Sequence, residues 1–505
     1  MITGGLAGCA YNYVPPVEDS MLPVVPPKLP KPDAATLLPL SIPSSQEAAR
    51  KKEAIPITGP IELGIVLQSV SNHFPLLLSI SEERAIAAGQ RLSAEGGFDT
   101  NVKARAFGQD GTYENSRYEF SAEQLTPFNG LSYFGGYRLS TGEFPPYNGS
   151  SKTGDGGEFR GGMVLPLLRN GPIDRQRAAV RQAQIAESLA DPLIQRARLD
   201  FFRTASRLYW NWLAAGEQYF VTQELLKLAQ DRQAGFETQL QRGAIAEIIV
   251  IDNRRLIAER QGTVVSAQRR LQQAAIELSL YLRDDTGQPQ LPTLEQLPRI
   301  LLTPRMDSPK SEAFDKDMET AYINRPELRR FILLKQRVSV DLQLAANQLL
   351  PAFNTGVVGH VDVGAMKKNS DGTPGDRQAI EGNVSFDMPL QFRDAGGRQA
   401  QARALLMQLQ FQEQFAREQI GAEVQDTVSQ MDRAADRIQR AREEVQIAQQ
   451  VTELEMTRFR VGQVTRLEVN LRELAAAGAR AKLIDAVADF YRAQADFRAA
   501  LGIGN

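Results

Sequence analysis

The sequence has few of the residues that most often build a metal site or a disulfide. It contains one cysteine and two histidines among 505 residues. No disulfide can therefore form within one chain, and little material is left for a His/Cys metal site. We also find no nucleophile–base pair, no glycine-rich phosphate loop and no metal cluster at useful spacing. The sequence predicts neither an enzyme nor a bound cofactor or metal.

Net charge and long apolar runs are also scarce. Lys and Arg number 58 and Asp and Glu number 60, which gives a formal net charge of -2. This balance gives no reason to expect nucleic acid as a partner. No apolar run approaches the roughly 18–20 residues that a membrane-spanning helix needs. If the protein crosses a membrane, we expect it to do so as β-structure.

The N-terminal 60 residues have two features of their own. Residues 6–10 read Leu-Ala-Gly-Cys-Ala, which resembles a bacterial lipoprotein processing box in which Cys9 becomes the lipidated first residue. Residues 1–5 supply neither a basic nor an apolar leader, so either the start shown lies too far downstream or the match is chance. The following residues are rich in proline, which predicts an extended tether between a lipid on Cys9 and the folded body.

Alternating apolar and polar residues predict four β-strands. Residues 380–390 alternate strictly between apolar or small side chains and polar ones, which is typical of a strand with one apolar face. The same pattern predicts strands at residues 99–107, 159–165 and 357–363. Two further stretches, 117–123 and 131–139, could form additional strands.

Two long helical hairpins follow the strands. Helical periodicity runs through residues 199–240 and 398–459, and each run meets a glycine (Gly243 or Gly462) before a return helix. The first helical pattern begins at Pro172, and Asp191-Pro192 predicts an interruption in it, with Asp191 as the N-cap of the helix that continues. Leu165-Pro166-Leu167 and Met388-Pro389-Leu390 are related by an offset of 223 residues, which indicates an internal duplication.

We therefore divide the chain into an N-terminal lipobox and tether, a first repeat, a linker and a second repeat. Each repeat contains a helix, a strand pair and a long helical hairpin. The linker contains five prolines. The predicted boundaries are residues 1–60, 61–283, 284–315 and 316–505.

The ordered elements resemble the TolC family of outer membrane efflux and secretion channels. The resemblance rests on that order, the helix start Arg325-Pro326-Glu327-Leu328, the Pro-Leu strand ends at 166–167 and 389–390, and the tip Phe459-x-x-Gly462. It implies a mainly α, internally duplicated fold with a transmembrane β-barrel portion. Four strands per protomer would give a homotrimer a twelve-stranded barrel in outer membrane lipid, continued by a coiled-coil α-barrel of twelve helices in the periplasm. The implied partners are a periplasmic adaptor and, through it, an inner-membrane transporter.

The polar strand faces are then expected to line the barrel interior. Their alternative interpretation is the solvated face of a soluble sheet. The residues are Lys103, Arg105, Arg160, His360, Asp362, Glu381, Asn383, Ser385 and Asp387. An aromatic-rich stretch, 128–147, could be a loop at the cell surface or one folded back over the pore.

The helix tips are expected to form the periplasmic mouth. The family often closes that mouth with charges that follow the tip glycine. The candidates are Gly243, Glu247, Asp252, Gly462, Arg466 and Glu468. Three copies of one carboxylate around a narrow mouth would repel one another and favour cations. Alternatively, these are ordinary first-turn charges, where acids suit the helix dipole.

A lipid-anchored periplasmic coiled-coil scaffold or adaptor without its own pore is the competing function. Adaptors normally contain one hairpin flanked by other modules, whereas this sequence repeats a strand-and-hairpin unit. The repeat therefore favours the channel.

Overall fold

The computed structural model describes residues 59–145, 152–298, 314–365 and 378–504. Within these residues the chain forms nine α-helices and six β-strands. The helices are α1 (Leu63–His73), α2 (Pro75–Ser81), α3 (Glu83–Glu95), α4 (Arg175–Gln241), α5 (Glu247–Ser279), α6 (Phe314–Asn324), α7 (Pro326–Gln348), α8 (Arg393–Arg460) and α9 (Arg466–Ala500). The strands are β1 (Asn101–Gln109), β2 (Asn115–Leu125), β3 (Ser132–Gly142), β4 (Glu158–Pro166), β5 (Ala352–Asp362) and β6 (Gln378–Asp387).

Helices α4 and α8 are the two longest helices of the described residues. They contain 67 and 68 residues, which corresponds to about 100 Å each at 1.5 Å per residue. Near the sheet, α3 packs on α4, α4 on α7, and α7 on α8. Towards the tips, α5 packs on α4, α9 on α8, and α4 on α9. The helices therefore form one layer that contains α4 and α8 throughout. Helices α3 and α7 complete the layer near the sheet, and α5 and α9 complete it towards the tips.

The core lies where α1, α4, α5, α8 and α9 meet. Each of these helices contributes a fully buried apolar side chain to it: Val66, Trp212, Leu278, Met431 and Phe490, in that order. Residues of these helices that point away from the core are mostly Gln, Arg and Glu. Apolar burial on one stripe of each long helix holds the two hairpins together.

The predicted interruption at Asp191-Pro192 is wrong. Helix α4 runs without a break through Pro192, and its N-cap is Asp174, whose carboxylate accepts a hydrogen bond from the Arg177 N–H. Asp191 instead pairs with Arg84 of α3 at 2.5 Å. A proline inside a helix costs about 3 kcal/mol or more. Packing of α3 and α7 along α4 offsets that cost locally.

The described part of the predicted linker packs on the first hairpin. Leu297 is buried, and a Cβ added to Gly216 of α4 would lie 2.6 Å from its methyl groups. The Gln296 carbonyl accepts a hydrogen bond from the Ile61 N–H at 2.9 Å. Residues 299–313 lie outside the described residues. The proline-rich segment 284–298 is therefore an irregular segment that packs against the helices.

The strands form one antiparallel sheet in the order β1-β2-β3-β4-β5-β6. All four predicted strands are present, and the two weaker stretches form β2 and β3. The expectation of four strands per chain is therefore corrected to six. The external loop expected at 128–147 is also wrong for residues 128–142. Its first residues belong to the turn between β2 and β3, at the helix end of the sheet beside Asn170, and β3 follows.

No single helix among the described residues is both long and apolar enough to cross a membrane. Helix α1 together with the segment Pro75–Phe98 passes that test only as a pair bent by 47°.

Candidate functional site

One face of the six-stranded sheet has no charged residue. Strand pairing is in continuous register across all five neighbouring pairs, so alternate residues of every strand lie on the same face. This uncharged face, from β1 to β6, consists of Val102, Ala104, Ala106, Gly108, Ser116, Tyr118, Phe120, Ala122, Gln124, Tyr133, Gly135, Tyr137, Leu139, Thr141, Phe159, Gly161, Met163, Leu165, Phe353, Thr355, Val357, Gly359, Val361, Gln378, Ile380, Gly382, Val384 and Phe386.

Most of the large side chains of this uncharged face are exposed. Ile380 is 82% exposed, Val384 67% and Phe159 58%. The strands contain 9–11 residues each, the length that spans a bilayer in a tilted strand. An exposed apolar surface of this extent marks contact with a membrane or with another protein.

The opposite face holds every charged side chain of the six strands. They are Lys103, Arg105, Arg117, Glu119, Glu123, Arg138, Glu158, Arg160, Asp362, Glu381 and Asp387. The predicted interior residues His360, Asn383 and Ser385 lie on this charged face too. Arg138 pairs with Glu158 at 2.7 Å, and Lys103 pairs with Glu123. All predicted interior residues thus share one face.

The two helix tips have the same backbone geometry. Gly243 and Gly462 have φ values of +68° and +79°, which suit glycine and strain other residues. The Gly462 N–H donates to the Phe459 carbonyl, and the Gln463 N–H donates to the Arg458 carbonyl, both at 3.0 Å. The equivalent bonds at the first tip are both 2.9 Å. Each long helix therefore ends in a Schellman motif.

The predicted tip charges have different surroundings. Glu247 and Asp252 are exposed on α5, and Asp252 pairs with Arg255 at 3.1 Å. Glu468 accepts hydrogen bonds from the Thr465 N–H and hydroxyl in a capping box. The bond to that N–H, followed by the hydroxyl bond, lowers the Glu468 pKa. Among the described residues, no ion pair joins the acids of the first tip to the charges of the second.

Arg466 is half-buried between the two hairpins. Its guanidinium lies 5.2 Å from the ring centroid of Phe236 on α4 and 5.1 Å from that of Phe459 on α8. Burial and, to a smaller extent, the nearby Arg232 lower its pKa to about 10. Its Nε and Nη2 atoms are buried without a hydrogen-bond partner among the described residues. The two rings are the contacts that hold this cation.

A buried ion pair network lies in the half of the helices nearer the tips, and the sequence did not predict it. Glu473 of α9 accepts hydrogen bonds from both Nη atoms of Arg232 on α4. Arg260 of α5 lies 3.5 Å from the same carboxylate. Burial lowers the Arg260 pKa, while Glu473 opposes that change. The network joins the second hairpin to the first, and a charge at helical spacing gives no sequence signal of burial.

Cys9 lies outside the described residues, so its predicted lipidation stays a prediction. Among the described residues, no group of three or more His, Cys, Asp or Glu side chains could hold a metal ion.

Comparison with known proteins gives both a sequence match and structural matches. Residues 318–503 match the family model described as "Outer membrane efflux protein". No curated protein sequence matches the chain.

Three solved structures have a similar fold. The MtrE outer membrane channel of Neisseria gonorrhoeae is 14% identical with a TM-score of 0.62, over 88% of this chain and 89% of that one. The Campylobacter jejuni CmeC channel is 12% identical with a TM-score of 0.59, over 87% and 85%. The Vibrio cholerae outer membrane protein VceC is 15% identical with a TM-score of 0.59, over 88% and 96%.

The family match spans β5, β6 and the second hairpin, and the structural matches extend to the first repeat. At these identities the structural matches establish the fold. Residues 318–503 therefore resemble the outer membrane efflux protein family in sequence, and most of the chain has the fold of the three channels, so the expected resemblance to the TolC family is confirmed.

Proposed function

We propose that this chain is the outer membrane channel subunit of a tripartite efflux or type I secretion system. Three copies would form one conduit from the periplasm to the exterior, in contact with a periplasmic adaptor and, through it, an inner-membrane transporter. Such a conduit breaks and forms no bonds. Its task is to keep a continuous polar bore through lipid and periplasm.

The uncharged face of the sheet carries the proposal. A soluble sheet exposing this face would leave aromatic and branched side chains in water, which favours aggregation. Against lipid the same side chains are favourable, and the charged face then lines an aqueous bore. Phe159 and Phe353 stand about eight residues apart in strand register, or roughly 25 Å along a strand, which matches the height of a lipid-facing band.

The long hairpins supply the periplasmic part of the conduit. At each level four helices of the chain lie side by side, and their polar outer residues suit helices that are wet on at least one side. Three copies would close these layers into a tube of twelve helices. The two tips, at Gly243 and Gly462, would surround its lower end, where an adaptor docks.

The acids of the first tip are the proposed charges of the mouth. Glu247 and Asp252 are exposed, whereas Glu468 caps its helix and Arg466 lies between two rings. Repulsion among three copies of Glu247 would favour cations at the mouth. A lipid on Cys9 would add an anchor to the outer membrane.

Membrane fractionation and planar-bilayer recording of a Cys9→Ser variant test the proposal. We expect a trimer that fractionates with the outer membrane, requires detergent and conducts ions. A monomeric, detergent-free protein without conductance would exclude the channel and support a periplasmic scaffold.

Ion selectivity tests the mouth separately. Glu247→Gln should lower the cation-to-anion permeability ratio. Glu277→Gln is the matched control, since the same substitution then lies about 45 Å further along α5 at 1.5 Å per residue. Equal effects of both substitutions would remove Glu247 from the mouth.

A further inference from the structure

The sheet contains one more hairpin than two strand pairs require. Strands β2 and β3 lie between β1 and β4. They pair with each other along their whole length, β2 pairs with β1 over residues 115–123, and β3 pairs with β4 over residues 132–138. Their residues continue both faces without a break: Tyr118, Phe120 and Tyr137 on the uncharged face, Glu119 and Arg138 on the charged one. The hairpin is therefore part of the wall and not an appendage to it.

The two edges of this sheet fit a second copy of the same chain. Within the described residues, β1 and β6 are each paired on one side only. The strands alternate in direction, so β1 leaves the helix end of the sheet and β6 returns to it. An edge β1 can thus pair antiparallel with an edge β6 of a neighbour. That pairing also keeps the uncharged faces on one side, and an edge in lipid must be paired.

We infer that three copies close an eighteen-stranded wall, with six strands from each, rather than the twelve-stranded barrel that four strands per protomer imply. The inference rests on the proposed trimer and specifies its membrane part. Its interface is the β1 edge of one copy against the β6 edge of the next.

The helices below the sheet give an independent reason for six strands. Four helices, in the order α3-α4-α7-α8, lie side by side beneath the sheet, and at 8–10 Å each they span about 32–40 Å. Six strands at about 4.8 Å, tilted by about 40°, span roughly 38 Å. Four such strands would span only about 25 Å by the same spacing and tilt. Six strands match the width of the helical layer.

The number of strands determines which part of the conduit is the narrowest. Barrel diameter grows roughly linearly with strand number, so an eighteen-stranded wall is about one and a half times as wide as a twelve-stranded one. Barrels of 16–18 strands leave an aqueous channel. The wall then offers little obstruction by itself, and the helix tips hold the barrier.

Disulfide trapping in a Cys9→Ser background tests the order of strands in the membrane. Val102, Ala122 and Gly161 lie in one row of the uncharged face, on β1, β2 and β4. The pair Val102→Cys/Ala122→Cys should cross-link within one chain under mild oxidation. The pair Val102→Cys/Gly161→Cys should not, because three strand spacings of about 4.8 Å separate the two residues and a disulfide needs Cα atoms within about 7 Å. The reverse pattern would place β1 directly beside β4 and overturn the inference.

Electron cryomicroscopy of the unmodified protein in nanodiscs gives a direct count of strands. Eighteen strands in a trimer support the inference. A trimeric channel with twelve strands, and β2–β3 outside the wall, would overturn it and leave the proposed function intact. Absence of any trimer would overturn both.

Discussion

The two repeats have the same backbone plan but place their charges differently. Both long helices end in a Schellman motif at a glycine, and both return helices begin three residues after it, at an N-cap (Ala246 and Thr465). The first return helix then begins with the exposed Glu247, and the second with the half-buried Arg466. Duplication thus preserved the turn and left the first helical residue free to change.

The difference reflects which hairpin face is covered. Helix α9 packs against α4, and near the second tip Arg466 lies over Phe236 of the first hairpin, whereas Glu247 at the same position of α5 is exposed. The first hairpin contributes Arg232 and Arg260, and the second contributes Glu473. The repeats are therefore complementary at their shared interface. Five experiments would break or sharpen this comparison.

The largest effect is expected at Glu473. Glu473→Ala leaves Arg232 and Arg260 without their carboxylate, and loss of one partner of a buried pair costs about 3–5 kcal/mol. Thermal unfolding of the detergent-solubilised protein, followed by circular dichroism, should show a clear fall in Tm. Glu224→Ala removes the exposed pair with Arg480 and should cost no more than about 1 kcal/mol. Similar Tm shifts for the two variants would contradict a stabilising buried ion pair between the hairpins.

The tip glycines should behave alike. Gly243→Ala and Gly462→Ala each place a Cβ in the left-handed region, at a cost of roughly 1–2 kcal/mol. Neither Cβ would meet an atom within 4 Å, so backbone strain alone sets the cost. Gly478→Ala, in the middle of α9 with open space around it, should instead stabilise by about 0.5–1 kcal/mol. Unequal losses at the two tips would show that the repeats differ in their turns as well.

The helix caps should respond in opposite directions. Thr465→Ala removes the side-chain cap of α9 and should cost about 1 kcal/mol, whereas Ala246→Ser offers α5 a cap it lacks and should recover part of that amount. Urea unfolding measures both.

The pH dependence of the α9 cap follows from Glu468. Because the fold lowers the Glu468 pKa, its contribution is present above the unfolded pKa and is lost as the pH falls through the lowered one. Substituting Glu468→Gln should remove that acid dependence. An unchanged acid limb would exclude Glu468 as its source.

The smallest effect is expected from Arg466→Met. The variant keeps an unbranched side chain between Phe236 and Phe459 and removes a buried cation whose Nε and Nη2 have no hydrogen-bond partner among the described residues. Unfolding free energy should change by less than about 1 kcal/mol, since apolar packing can replace a buried charge. Arg466→Ala should cost more because it empties the space between the rings. If Arg466→Met by itself caused a large loss of unfolding free energy, the stabilisation would come from the charge of Arg466 and not from its packing.

Sequence periodicity located the strong elements and missed the weak ones. Strict alternation at 380–390 found β6, and helical periodicity found both hairpins. In β3 the pattern is diluted by Gly135 and Gly136, so its strand depends on pairing with β2 and β4. The expected break at Pro192 failed because neighbours on both sides of α4 outweigh a local penalty.

The sequence by itself determined the repeated order of elements, the glycine turns and the separation of charged from uncharged residues in each strand. These are local properties, set by side-chain periodicity and by the φ values that glycine allows. The tertiary structure decided that six strands join one sheet, that Glu473 and Arg466 lie between the hairpins, and that Glu247 stays exposed. Each of these depends on which helix or strand lies alongside, and contacts over such sequence distances leave no periodic signal.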